Sequence, residues 1–84
     1  MSTIKQLRTK IVATDTAIIK KLAERKKISH DIQQLKAKSG RKILDVAREK
    51  ELMKIHKKLC LQYKLQVKFV NRLYKYIIAD SRRS

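Results

Sequence analysis

The chain has no proline, no tryptophan, one glycine (Gly40) and one cysteine (Cys60) in 84 residues. Tight turns draw on proline and glycine, so their near absence argues against a turn-rich β fold and for a chain that is almost wholly helical. A single cysteine excludes an intrachain disulfide and a thiolate metal cluster, and it suits a reducing compartment. No apolar run approaches the ~20 residues of a membrane span, and the N-terminus lacks a signal-peptide pattern, so a cytoplasmic protein is expected. Aromatic residues make up only 5% of the chain, a thin platform for stacking single-stranded nucleic acid. Glycine-rich phosphate loops are absent.

Acidic residues are also scarce: 7 Asp and Glu stand against 23 Lys and Arg, for a formal charge of +16. Such a balance attracts polyanions, whether nucleic acid, an anionic membrane or small anionic metabolites. Much of the charge lies in pairs such as Lys20-Lys21, Lys26-Lys27 and Lys57-Lys58, not in one basic block. Residues 1–84 are expected to form one domain, small for building a core alone, and association with a second copy would help stabilise it.

Ser2 or Thr3 can cap a first helix, and Ile4, Leu7, Ile11, Ile18, Leu22, Ile32 and Leu35 follow the three-to-four spacing of an apolar face. The pattern runs to about Lys38, where Ser39-Gly40 and nearby cations form a stop signal. A helix of that length spans ~50 Å, too long to fold back on itself in a compact single-core monomer. A second helix can start at Asp45, a good cap, with Leu44 before it as a hydrophobic staple. Leu52, Ile55 and Leu59 form its apolar face, and Val67, Val70, Leu73, Tyr74, Ile77 and Ile78 continue the pattern. Gln62 to Gln66 holds no turn-forming residue, so periodicity alone predicts one helix from Asp45 to Asp80 and a two-helix hairpin.

The stripes carry polar side chains where apolar ones belong. Arg25 and Lys36 lie eleven residues, or three turns, apart and project from nearly the same face with Ile32 between them. Arg48 precedes Leu52, Ile55 and Leu59 at four, seven and eleven residues and so faces inward, with Glu49 beside it; Ser81 follows Tyr74 and Ile77 at seven and four. An unpaired buried cation is costly, so these residues point to a pocket that receives an anion. Arg8 lies seventeen residues before Arg25, which turns it about 100° away; it would reach a pocket in a partner subunit more readily than this one. The competing readings are that Arg8 is a surface cation, that Arg25 and Lys36 snorkel to solvent, and that Arg48 pairs locally with Asp45 or Glu49. His30 and His56 have no metal-ligand spacing and read as surface or rim residues, whereas Cys60, between Leu59 and Leu61, reads as core.

In Leu7-Arg8-x-x-Ile11-x-x-x-Asp15, Leu22-Ala23-Glu24-Arg25, Lys36, Asp45-x-x-Arg48-Glu49 and Ile77-Ile78-x-Asp80-Ser81, the chain resembles the all-α class of chorismate mutase. That domain is found alone or fused to prephenate dehydratase. The resemblance spans nearly the whole chain without a gap. It implies an all-α fold with one long and two shorter helices per chain, interlocked in a homodimer whose long helices cross between two equivalent sites. A second turn would then fall near Lys64-Leu65. The implied reaction is the rearrangement of chorismate to prephenate, in the shikimate-pathway steps toward phenylalanine and tyrosine. It is unimolecular and pericyclic and implies no metal or cofactor. By resemblance, Arg8 from the partner, Arg25 and Lys36 would bind carboxylates, with Lys36 also donating to the ether oxygen. Glu49 would accept from the substrate hydroxyl, aided by the backbone at Asp45. Arg48 would balance charge there, and Ser81 would contact a carboxylate.

The family's second donor to the ether oxygen stands four residues after this serine, which here would be position 85, one past Ser84. The expectation is either a domain cut from a longer chain or reduced activity. Two alternatives to an active mutase are a basic helical bundle that binds nucleic acid, supported by net charge alone, and a mutase-fold dimer with a weakened site. Neither nucleic acid nor a membrane is the expected partner.

Overall fold

The first helix begins at a capping box. Thr3 Oγ1 accepts from the Gln6 amide at 3.2 Å, while Gln6 Oε1 accepts from the Thr3 amide at 2.8 Å. These two bonds satisfy amide donors that have no partner within a helix. A computed structural model describes residues 3–40 and 46–83 and holds α1 (Ile4–Lys38), α2 (Val46–Tyr63) and α3 (Val67–Arg83), with no strand among the described residues. Helix α1 ends where the sequence places its stop: the Ser39 amide donates to the Leu35 carbonyl at 3.1 Å, and Gly40 takes φ of +71°. Asp45 and Leu44, proposed as cap and staple of α2, lie outside the described residues.

The structure corrects the uninterrupted second helix that periodicity predicts. Tyr63 ends α2, Lys64 adopts a left-handed φ of +58°, and α3 begins at Val67. The Leu65 amide donates back to the Cys60 carbonyl at 2.9 Å, the six-to-one bond of a Schellman ending. That ending usually employs glycine; a lysine there bears a backbone cost of ~1 kcal/mol. The compensation is packing. Once the chain reverses, Cys60 on α2 and Val70 on α3 become the buried apolar residues among those described, 3% and 9% exposed.

Helix α3 packs against both α1 and α2. Its registry with α1 is fixed by polar bonds: Gln33 Nε2 donates to the Ser81 carbonyl at 3.0 Å, and Lys26 pairs with Asp80 at 3.2 Å. All these contacts involve the second half of α1. From Thr3 to Glu24 every residue is exposed, including the apolar stripe Leu7, Ile11, Ile18 and Leu22. The chain is accordingly elongated, 57 × 24 × 16 Å. No described helix is long and apolar enough to cross a membrane.

Candidate active site

Between the second half of α1, the start of α2 and the end of α3 lies a cavity of about 310 Å³. Three-to-four spacing puts Arg25, Ser29, Ile32 and Lys36 along its α1 wall; Arg48, Glu49 and Leu52 form the α2 wall. Ile78, Ser81 and Arg82 close it from α3. The fold thus gathers Arg25, Lys36, Arg48, Glu49 and Ser81, separated by up to 56 residues in sequence, around one space. Among the described lining residues, the cations Arg25, Lys36, Arg48 and Arg82 face a single carboxylate, Glu49. A cavity with that balance favours an anion.

Ser81 is 4% exposed and its hydroxyl donates to the Ile77 carbonyl at 2.9 Å. Arg25, half-buried, donates from Nη1 to Ser81 Oγ at 3.4 Å, and its guanidinium carbon lies 5.5 Å from the centre of the Tyr74 ring. The ring face and the hydroxyl hold the cation across the α1–α3 seam. Lys36 is half-buried and lines the cavity. Arg48 differs from the inward-facing residue that its spacing predicts. Its side chain is 53% exposed and pairs with Glu51 at 3.1 Å, so it occupies the cavity rim. Asp45 lies outside the described residues. Arg8 is exposed on the first half of α1, ~25 Å along the helix from Arg25, and does not line this cavity.

Three residues around the site escape the sequence reading. Gln33 ties α1 to Ser81, Tyr74 backs Arg25, and Arg82 meets the Glu49 carboxylate. A polar residue beside an already interrupted stripe carries no signal of its own; their roles depend on the angle at which α3 returns. His56, read from the sequence as a surface or rim residue, takes the rim position and is half-buried. Its ring stacks on Tyr74 with centroids 4.0 Å apart and planes tilted by 39°. Burial first, then the nearby Arg25 charge, push its pKa below the usual 6.5. Below 6.5 the unfolded chain therefore binds this proton more readily than the folded one, and stability is lost as pH falls from 6.5 toward the lowered value. Thermal melts of the intact protein at pH 7.5 and 5.5 should show that loss, and His56→Phe should reduce it.

A sequence profile of the family described as chorismate mutase type II matches residues 7–84. The chain belongs to the type II chorismate mutase family. The match takes in Arg8 on the first half of α1 as well as the whole cavity. Among curated proteins, the chain is similar to the bifunctional chorismate mutase/prephenate dehydratase of Escherichia coli K12, at 33% identity over 75 residues, covering 89% of this chain and 19% of that protein. The protein of the same description from Enterobacter agglomerans is 35% identical over the same coverage. The chain thus spans about a fifth of the length of the curated relatives it matches. No solved structure matches. Membership of this family supports chorismate mutase activity and an isomerase class for the chain.

Proposed function

We propose that the cation-lined cavity binds chorismate and catalyses its rearrangement to prephenate, as a step of aromatic amino-acid biosynthesis in the cytoplasm. The observation that carries the reading is the meeting of Arg25, Lys36, Glu49 and Ser81 around one cavity in a chain of this family. The reaction breaks a carbon–oxygen bond and forms a carbon–carbon bond within one molecule. The protein's task is to hold a flexible dicarboxylate in its compact form and to stabilise charge growing on the ether oxygen. In this reading Arg25 and Ser81 hold one carboxylate at the α1–α3 seam. Lys36 serves the other carboxylate and the ether oxygen. Glu49 and the backbone of Asp45 take the substrate hydroxyl, and Arg48 at the rim balances charge.

The active unit is a homodimer of single-domain chains in which Arg8 completes the partner's cavity. Two features support this. The exposed stripe of Leu7, Ile11, Ile18 and Leu22 needs an apolar cover, and the lone chain buries only Cys60, Val70 and Ser81 among its described residues. The test is the fall of chorismate absorbance on adding intact protein, with the mass in solution measured on the same sample. Turnover by a dimer is expected. No turnover by a folded dimer would overturn the reading.

A further inference from the structure

Glu49 is the one acidic residue on the cavity wall among the described residues, and its surroundings are specific. Its Oε1 is closed off from solvent, and the Arg82 guanidinium of α3 meets it there. Arg82 also lines a second, more apolar cavity of about 450 Å³ behind this pair, together with Met53, His56, Asn71 and Tyr74. The Glu49–Arg82 pair therefore stands in the wall between the two spaces. The preceding residue on α3, Ser81, is anchored from α1 by both Arg25 and Gln33, which fixes where the Arg82 stem leaves the helix.

We propose that Arg82 is a positioning residue for the reaction: it holds the Glu49 carboxylate ionised and aimed into the cavity, ready to accept from the substrate hydroxyl. This rests on the assignment of Glu49 given above and extends it. A carboxylate placed among hydroxyl-bearing substrate and apolar walls must remain ionised to act as an acceptor, and an adjacent guanidinium favours that form. The guanidinium fork also fixes the plane of the carboxylate, which a flexible lysine ammonium does less well. Among the described residues, the charged or titratable groups that share the two cavity walls with Glu49 are Arg25 and Lys36 from α1, Lys75 and Arg82 from α3, and Arg48 and His56 on its own helix. Of these, His56 is the imidazole, whose pKa burial and Arg25 push down toward the acid limb, so it is controlled for in the experiment.

The test is the pH profile of kcat/KM for chorismate in intact wild-type protein, Arg82→Met, Arg82→Lys and the His56→Phe/Arg82→Met double variant. The Arg82 side chain is 42% exposed, so its loss leaves no cavity in the core, and circular dichroism checks folding. Arg82→Met is expected to lower kcat/KM about 10-fold at neutral pH and to move the acid limb upward by ~1 pH unit. Arg82→Lys should restore most of the limb position but less of the rate. The double variant should keep the shift. An acid limb unmoved in Arg82→Met, or a shift abolished by His56→Phe, would overturn the role of Arg82 while leaving the mutase reading intact. Wild-type protein that leaves chorismate untouched would overturn both.

Discussion

Lys36→Ala is expected to lower chorismate turnover by ~10²–10³-fold or more, with helix content and mass in solution unchanged. The size follows from the chemistry. A charge that develops on the ether oxygen during bond cleavage is stabilised most by a cation already in place, because the protein then reorganises little at the moment of reaction. Lys36 sits three helical turns, ~16 Å, from Arg25 on the same wall, so the two long side chains can converge on a small dicarboxylate from opposite ends of the cavity. Losing it removes a carboxylate contact and the transition-state donor together, so kcat should fall more than KM rises. Stability should hold, because the residues buried among those described are Cys60, Val70 and Ser81, and Lys36 is only half-buried. A fall in KM affinity alone, with kcat preserved, would remove Lys36 from the transition state.

Arg8→Ala should likewise abolish most activity, and mixing it with Lys36→Ala should bring activity back. Arg8 is exposed on its own chain and lies far along α1 from its own cavity, so a large effect requires that it act on another copy. In a mixed dimer, one site lacks both residues and the other has both. If subunits exchange statistically, half the dimers are mixed and each carries one intact site, giving about a quarter of wild-type activity. Two inactive parents that stay inactive after exchange would place Arg8 outside the partner's site.

The long first helix was legible because its signals are local: a capping threonine, an apolar face at three-to-four spacing and Gly40 at the end. The turn between α2 and α3 carries no such signal. Lys64 takes a left-handed backbone in a segment without glycine or asparagine, and the return of α3 onto Cys60 and Val70 compensates it, a tertiary effect that periodicity cannot register. The resemblance placed that turn near Lys64-Leu65, where the structure has it.

The site divides along the same line. Arg25, Lys36 and Ser81 were marked by polarity on an apolar stripe, a feature of single helices, and each lines the cavity. Arg48 bears the same mark but turns to Glu51 at the rim, since a long side chain at the first turn of α2 reaches solvent easily. Gln33, Tyr74 and Arg82 act across helices. Gln33 reaches a backbone carbonyl on α3, Tyr74 lies between Arg25 and His56, and Arg82 crosses to Glu49. Which residues meet in this way depends on how α3 crosses α1 and α2, and that crossing is set by the turn that local sequence does not announce.

The most direct measurement is the identity of the product when intact protein is mixed with chorismate and the solution is followed by nuclear magnetic resonance. A cation-lined cavity that folds and holds the substrate should yield prephenate, one molecule for each chorismate consumed and faster than the uncatalysed background, with Lys36→Ala near that background. Chorismate that disappears no faster than in buffer, or that gives a product other than prephenate, would contradict the account.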